Sequence, residues 1–225
     1  MTTAILLLAG ASTRFNAWKS KQLFLLNGKP VFSYSLETLS NNKSINEVIV
    51  VVNDEIKEEV SNYIKANRLD VTLVKGGETR QESVENALKV MNAKDDDIVV
   101  IHDGARPLIY DDIIEGVIKT AKEFGASTAC IPEVDTLALR SSDGMINGNA
   151  DRNRVVRIQT PQAFKASLIK LAHEKANDLN ATDDCSLILA MNKQVKLVTG
   201  SECLRKVTTI QDAKIIEGMI KNDWI

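Results

Sequence analysis

Short apolar runs alternate with amphipathic stretches along the first half of the chain. The apolar runs have strand length and cover positions 4–9, 48–52, 71–74 and 98–101. Between and after them, apolar residues recur every three or four positions, which predicts helices over 31–39, 56–64, 83–91 and 111–124. Unbroken apolar strands separated by helices are typical of a parallel sheet covered on both faces. The pattern therefore predicts a doubly wound, Rossmann-like α/β fold with a mostly parallel sheet.

The alternation stops after Ile131. Positions 132–157 have no helical period and contain turn signals at 141–144 and 146–149, which suit a β-hairpin. We interpret this segment as a protruding β-arm, too thin to bury its own apolar side chains, so that a second copy of the chain is expected to cover it. The alternative is a surface insertion. The expected organisation is one domain over 1–225, with 133–158 as the dimerisation arm.

The remainder of the chain returns to helices and one strand. Positions 158–164 are predicted to form a fixed turn that leads into a helix, and Asp54 is predicted to cap the helix that follows the second strand. Later segments are predicted as a capped short helix from 181, a strand over 195–198 and a closing helix over 211–221. The two histidines are His102, expected to pack or hydrogen-bond, and His173, to which the pattern assigns no role.

Composition excludes several classes of protein. With 225 residues, of which 44% are hydrophobic and 26% charged, the chain can bury a full core. It has 28 basic and 30 acidic residues, a net charge of -2, and only 4% of its residues are aromatic. The lack of a basic excess and of aromatic residues argues against a nucleic-acid surface. Three cysteines without a CxxC pair favour reduced thiols in a cytoplasm over disulfides or zinc. No apolar run approaches the roughly 20 residues that span a bilayer, so no membrane partner is expected.

The loop after the first strand has the residues of a phosphate site. Small residues begin at Gly10 and Ala11, and the cations Arg14, Lys19 and Lys21 follow without an acidic neighbour. Exposed backbone N–H groups together with cationic side chains bind polyphosphates. The alternative is an ordinary turn with solvated cations, and neither GxxxxGK[ST] nor GxGxxG is present.

Two further polar clusters follow the third and fourth predicted strands. Arg80 and Ser83 could bind a phosphate or a base edge, Asp103 a cation or a ribose hydroxyl, and Arg106 a second anion. Each has a local alternative: a solvated helix face for Arg80, a capped turn for Asp103, and a surface ion pair for Arg106. Because ligands bind beyond the carboxyl ends of parallel strands, the three clusters are expected to share one site.

Several blocks of sequence, taken in order, resemble the 2-C-methyl-D-erythritol 4-phosphate cytidylyltransferase family over nearly the whole chain. The blocks are Leu8-Ala9-Gly10 with Arg14, Ser20-Lys21-Gln22, Gly76-Gly77 with Arg80 and Ser83-Val84, His102-Asp103 with Ala105-Arg106-Pro107, Asp135-Thr136, Asp151-Arg152, Gln159-Thr160-Pro161-Gln162, Thr182-Asp183-Asp184 and Lys206-Val207-Thr208. The resemblance implies a nucleotidyltransferase fold, a crossed-arm homodimer, and CTP with a divalent cation such as Mg2+. The implied reaction makes a CDP-linked methylerythritol and pyrophosphate in non-mevalonate isoprenoid synthesis.

The resemblance also implies residue roles. The residues implied to act on the triphosphate are Arg14, Lys21 and Lys206. The residues implied to surround the nucleotide are Ala9, Gly10, Ala11, Gly77, Glu78, Arg80, Ser83 and Asp103. The residues implied to hold the acceptor are Asp103, Arg106, Thr136, Arg152, Thr160 and Thr182, with Thr136 and Arg152 reaching the partner's site. The residues that would hold the cation stay unknown.

Departures from the family pattern leave the acceptor open. Glu78 replaces an aspartate, and Leu137 and Ala138 stand where a basic residue is common. A ribitol-5-phosphate cytidylyltransferase is therefore an alternative, although Ala105 and Arg152 favour methylerythritol phosphate.

Two other classes of protein fit these patterns less well. A metal-dependent glycosyltransferase would use 95–97 as a DxD motif, but these aspartates precede the fourth strand and so belong to the wrong edge of the sheet. A non-catalytic nucleotide-binding regulator would be expected to lack cations, whereas Arg14, Lys21 and Lys206 are present.

Overall fold

The computed structural model describes residues 1–10, 15, 20–176 and 181–222. The strands are β1 (Thr2–Leu7), β2 (Leu25–Leu26), β3 (Lys29–Pro30), β4 (Glu47–Val52), β5 (Thr72–Lys75), β6 (Ile98–Asp103), β7 (Ala126–Pro132), β8 (Leu137–Arg140), β9 (Ile146–Ala150), β10 (Val156–Lys165) and β11 (Lys196–Thr199). The α-helices are α1 (Val31–Asn41), α2 (Lys57–Ala66), α3 (Arg80–Val90), α4 (Asp111–Phe124), α5 (Ala166–Lys175), α6 (Asp184–Ala190) and α7 (Ile210–Lys221). Short 3₁₀ turns cover Lys21–Leu23, Arg152–Arg154 and Glu202–Leu204.

Seven strands form the central sheet in the order β11-β7-β10-β6-β1-β4-β5. The pairs β1/β4, β1/β6, β4/β5 and β7/β11 are parallel, and β10 runs antiparallel to both β6 and β7. Residues on β1 alternate between two cores: Ala4 and Leu6 face one, and Ile5 and Leu7 face the other. This confirms the predicted doubly wound α/β fold with a mostly parallel sheet.

Helices cover both faces of the sheet. Helices α1, α2 and α4 pack on one face, and α3, α5 and α6 pack on the other. A third apolar cluster joins α7 to the start of α1 and includes Phe15, Val31, Leu108 and Val207. None of the described helices is long and apolar enough to cross a membrane.

The predicted hairpin is present. Strands β8 and β9 pair antiparallel as a separate two-stranded sheet, and Gly144 in their connection has a φ of +90°, which glycine adopts without strain. Apolar side chains on this arm lie open to solvent, with Met145 67% and Ile146 75% exposed. The arm therefore exposes apolar side chains that it cannot bury by itself, as expected of an arm that a partner would cover.

Two local predictions were wrong. Positions 158–164 lie inside strand β10, whose register against β7 shifts between Ile158 and Gln162, so Pro161 occupies an irregular part of the strand and not a turn. Helix α2 starts at Lys57, and the Asn53 side chain, not that of Asp54, accepts a hydrogen bond from the Ile56 N–H.

Candidate active site

A cavity of about 260 Å³ opens at the carboxyl edge of the sheet. Its walls come from the loops after β1, β5 and β6 and from the segment before α7. The predicted site residues that line it are Ala9, Gly10, Lys21, Gly77, Glu78, Arg80, Ser83, Asp103 and Lys206. Residues distant in sequence are thus brought to one place, as the strand order requires.

The loops after β1 and β5 touch each other. A Cβ atom on Gly76 would lie 2.4 Å from the Cβ of Ala9, so a larger residue would push the two loops apart. The Ser83 hydroxyl accepts a hydrogen bond from the Gly77 N–H at 3.1 Å and donates to the Thr79 carbonyl at 2.9 Å. Ser83 therefore shapes the glycine loop at the start of α3.

Asp103 is the electrostatic centre of the cavity. Its Oδ2 lies 2.6 Å from Nζ of Lys206, and its Oδ1 lies 3.4 Å from Nε of Arg80. Burial alone would raise the pKa of Asp103, but Arg80 and Lys206 hold it far below its usual range. An ionised Asp103 therefore holds two cations at the cavity wall.

Arg80 has a second and closer partner. Its Nη1 donates to Oδ2 of Asp184 at 2.7 Å, and the side chain of Asp184 is only 1% exposed. Its Nη2 is buried and makes no hydrogen bond to the described part of the chain. One donor of a cavity-lining guanidinium is therefore left without a partner among the described residues.

A hydrogen-bonded chain fixes the loop after β6. The Asp103 N–H donates to the Thr160 hydroxyl at 3.1 Å, that hydroxyl lies 3.1 Å from Nδ1 of His102, and Nε2 of His102 lies 2.9 Å from the Arg106 carbonyl. A carbonyl only accepts, so Nε2 of His102 carries the hydrogen and Nδ1 accepts from Thr160. Burial lowers the pKa of His102 to about 4, so its ring is neutral at pH 7. The expectation that His102 forms hydrogen bonds is confirmed.

Thr160, which the resemblance places in contact with the acceptor, is buried in this structure. It is 4% exposed, and its hydroxyl is already engaged with Asp103 and His102. In this structure Thr160 supports the loop that carries Asp103 and Arg106, and contact with an acceptor stays a prediction.

Arg106 lies in an adjoining cleft of about 320 Å³. Its Nη1 donates to the Leu204 carbonyl at 2.6 Å, while its buried Nε has no hydrogen-bond partner among the described residues. Lys206 lines both the cavity and the cleft, so the two are neighbours. The arrangement offers two adjacent places for anionic groups.

The segment that carries Lys206 is fixed on both sides. The Val207 N–H donates to the Ala105 carbonyl at 2.7 Å, next to the loop after β6. On the other side, Thr209 and Asp212 form a capping box at the start of α7. Lys206 is therefore positioned by the backbone on one side and by the capped helix on the other.

Comparison with known proteins identifies the family. The family model for 2-C-methyl-D-erythritol 4-phosphate cytidylyltransferase matches residues 2–222. The chain belongs to this family. An enzyme of that name from Clostridium novyi (strain NT) is 41% identical over 97% of this chain and 96% of its own length, and one from Caldanaerobacter subterraneus subsp. tengcongensis is 39% identical over 96% of each. The solved 4-diphosphocytidyl-2C-methyl-D-erythritol synthase from Anaerococcus prevotii superposes with a TM-score of 0.86 at 26% identity, covering 98% of both chains.

Some residues expected in the cytidylyltransferase site lie elsewhere. Thr136 and Arg152 are exposed on the arm, Arg152 donates to the Val134 carbonyl at 2.9 Å, and Thr182 is exposed just before α6. None of these three lines the cavity of its own chain as far as the described residues define it. Ala11 and Arg14 lie outside the described residues.

Two residues that contact Arg80 directly or through one neighbour were missed in the sequence analysis. Asp184 pairs with Arg80, and His173, to which we assigned no role, is buried with its Nε2 3.1 Å from Oδ1 of Asp184. Ile169, Ala172 and His173 share one helical face at three- and four-residue spacing, and this signal could have predicted the burial of His173.

The aspartates at 95–97 lie at the opposite edge of the sheet. Asp97 pairs with the N-terminal amine of Met1 at 2.6 Å, and Asp96 pairs with Lys165 at 2.8 Å. They precede β6 and do not line the cavity, and the comparisons give no support to a glycosyltransferase.

Proposed function

We propose that this member of the family joins CTP and 2-C-methyl-D-erythritol 4-phosphate to give 4-diphosphocytidyl-2-C-methyl-D-erythritol and pyrophosphate, a step of non-mevalonate isoprenoid biosynthesis. The proposal rests on one observation: the Asp103 carboxylate contacts both Arg80 and Lys206 at the wall of the cavity. Lys206 also lines the neighbouring Arg106 cleft. A nucleotide and a second anion can thus lie side by side between fixed cations.

The reaction needs positioning more than covalent chemistry from the protein. A phosphate oxygen of the acceptor attacks the α-phosphorus of CTP, a new P–O bond forms, and the bond to the departing pyrophosphate breaks. Fixed cations stabilise the charge that develops on the phosphoryl oxygens. We assign this role to Lys21 and Lys206, with Arg14 beside them on the strength of the resemblance.

The nucleotide is proposed to lie against the loops after β1 and β5. The free Nη2 of Arg80 would donate to the base or the ribose, and the backbone of Gly77 and Glu78 would follow the edge of the base. Ala9 and Gly10 would approach the phosphates through their backbone N–H groups, and the resemblance adds Ala11 to the same contact. Ser83 supports the glycine loop and is in reach of the same ligand.

The acceptor is proposed to lie in the Arg106 cleft. The buried, unpartnered Nε of Arg106 is a donor placed for an anionic or hydroxyl group. We propose that Arg152 and Thr136 of a partner's arm hold the acceptor's phosphate, for which a bidentate arginine is well suited. Thr182 and Thr160 complete the proposed surroundings.

Mg2+ fits this site as a companion of the triphosphate. No cluster of three potential ligands occurs in the described part of the chain, and two carboxylates, Glu78 and Asp103, line the cavity. Mg2+ is commonly held by substrate phosphates and one or two carboxylates, so Glu78 would contribute a protein ligand, since Lys206 and Arg80 already engage the two oxygens of Asp103. When bound, the cation would neutralise phosphate charge. Loss of turnover in a chelator and its recovery on adding Mg2+ would test the assignment.

The assembly and location belong to the same proposal. The exposed apolar side chains of the arm support a homodimer through the arm. Cys130, Cys185 and Cys203 form no disulfide with one another, which supports a reducing cytoplasm as the location.

The deciding experiment measures pyrophosphate release by the purified protein with CTP and Mg2+, comparing methylerythritol 4-phosphate with ribitol 5-phosphate. We expect faster release with methylerythritol phosphate. Faster release with ribitol phosphate would overturn the proposed acceptor while leaving cytidylyl transfer in place. No release with either acceptor would overturn the proposed function.

A further inference from the structure

A line of buried polar groups connects helix α5 with the nucleotide cavity. Nε2 of His173 lies 3.1 Å from Oδ1 of Asp184, and Oδ2 of Asp184 lies 2.7 Å from Nη1 of Arg80. The Nε of Arg80 then reaches Oδ1 of Asp103 at 3.4 Å. His173 is 8% exposed and does not line the cavity, yet only two residues, Asp184 and Arg80, lie between it and Asp103 in this line.

Asp184 is the link in this line. A buried carboxylate is stable only when its oxygens have partners, and here Arg80 serves Oδ2 while His173 serves Oδ1. Burial alone would raise the pKa of Asp184, but Arg80 and the hydrogen bond from His173 keep it below its usual range. Its backbone N–H also donates to Oε1 of Gln162 at 3.2 Å. Asp184 is therefore ionised, and hydrogen bonds hold both of its carboxylate oxygens and its backbone N–H.

The direction of the hydrogen bond at His173 follows from its surroundings. An ionised carboxylate only accepts, so Nε2 of His173 carries the hydrogen that points to Asp184. The other ring nitrogen, Nδ1, is buried without a hydrogen-bond partner among the described residues, and the nearest carboxylate oxygen, Oε1 of Glu85, lies 3.6 Å away. Donation to Asp184 is the one hydrogen bond that the ring makes within the described structure.

This hydrogen bond bears on the orientation of Arg80. The contact of Arg80 with Asp184 is shorter than its contact with Asp103, so Asp184 sets the plane of the guanidinium. That plane fixes where the unpartnered Nη2 points. If Asp184 lost a partner and shifted, Arg80 would turn with it and the donor offered to the nucleotide would be displaced.

We propose that His173 is a positioning residue for nucleotide binding, which acts through Asp184 to orient Arg80. The inference rests on the proposed use of Arg80 for CTP. A residue on α5, outside the cavity, would thus affect the affinity for CTP and leave the affinity for the acceptor unchanged.

The test compares His173→Met with His173→Gln. Methionine fills similar space without a donor, whereas the glutamine amide can donate to Asp184 again. We expect His173→Met to raise the KM for CTP about tenfold, the effect of losing one hydrogen bond to a charged group, with kcat and the KM for the acceptor changed less than about twofold. His173→Gln should restore most of the loss. Glu174→Gln, an exposed neighbour on the same helix, is the matched control and should behave as the wild type.

Two further measurements keep the outcome decisive. Calorimetric CTP binding should weaken in His173→Met, and combining this change with Asp184→Asn should add little to Asp184→Asn alone, because coupled residues are not additive. Equal losses in the Met and Gln variants, or parallel losses in kcat, both KM values and melting temperature, would overturn the inference. If His173→Met does not fold, His173→Asn, whose shorter side chain withdraws the donor, takes its place.

The wild-type measurements separate the two proposals. Wild-type protein that binds CTP while the Met variant binds it equally well overturns the role of His173 alone. Wild-type protein that does not bind CTP overturns the proposed function together with this inference.

Discussion

Lys21 is the described cation of the opening loop that lines the cavity. Replacing it with alanine removes a charge that would face the triphosphate. We expect a fall in kcat/KM equivalent to about 3 kcal/mol of transition-state free energy, as for the loss of one oxyanion donor. The melting temperature should change little, because the side chain is partly open to solvent. Pyrophosphate release and thermal unfolding measure the two effects.

Lys122→Ala provides the control for this variant. Lys122 is exposed in the last turn of α4, away from the cavity, so its loss alters net charge equally without touching the site. An unchanged rate in Lys21→Ala would remove Lys21 from the proposed mechanism.

His102 gives a pH dependence of stability. Burial lowers its pKa from 6.5 to about 4 in the folded chain, so between these values the unfolded chain binds more protons than the folded one. Stability is therefore fully present above pH 6.5 and declines as the pH falls toward 4, by about 3 kcal/mol over the window. Urea unfolding at pH 7 and pH 4.5 should show this loss.

The same measurement on His102→Gln isolates the residue. A glutamine does not titrate, so the variant should be less stable at pH 7 but should lose much less stability on going to pH 4.5. Carboxylates with lowered pKa values, such as Asp103 and Asp184, lose their contributions mainly below pH 4 and do not confuse the comparison. Parallel losses in wild type and variant would contradict the assignment.

Helix α7 shows how an element positions a site residue. The Thr209 hydroxyl accepts from the Asp212 N–H, and the Asp212 carboxylate accepts from the Thr209 N–H at 2.9 Å. Thr209→Ala should cost about 1 kcal/mol of unfolding free energy, the usual value of an N-cap. Thr209→Ser should lose little, and chemical denaturation of both variants makes the comparison. Equal losses would show that the methyl group, not the cap, matters.

Elements with a strong period could be predicted from sequence, and those set by long-range pairing could not. Helix α4 was predicted at its observed bounds because its apolar face is continuous from Ile113 to Ala121. Positions 158–164, which contain Pro161, were predicted as a turn but lie inside strand β10, where proline cannot donate to a ladder. The strand forms because β6 and β7 flank it, and the register shift near Pro161 accommodates the missing donor.

The site divides in the same way. Residues at or just beyond the carboxyl ends of parallel strands, such as Asp103 and Gly77, were brought together as predicted, because the topology alone places these strand ends at one edge. The pairing of Arg80 with Asp184 depends on where α6 begins in space, and no local pattern of residues contains that information. The roles expected of the arm residues Thr136 and Arg152 need a second chain and stay predictions.

For the whole molecule, the arm is the feature that a single chain leaves unexplained. Its side chains Val134, Leu139, Met145 and Ile146 are each more than half exposed. Covering them would stabilise a dimer through the hydrophobic effect. Ile146→Asp should therefore shift the protein toward monomer in sedimentation equilibrium, whereas Leu171→Asp, at an exposed apolar position on α5, should not. A monomeric wild type would contradict the arm's role.

Mixed dimers test whether the arm completes the partner's site. A dimer of one Lys21→Ala subunit and one Arg152→Ala subunit has one site with both defects and one intact site, provided that Arg152 reaches across. Random mixing should then restore about one quarter of wild-type activity, because half of the dimers are mixed and each carries one good site of two. Each variant alone should be nearly inactive at low acceptor concentration. If Lys21 and Arg152 serve the same subunit's site, every site in the mixture carries a defect and activity stays at the level of the separate variants.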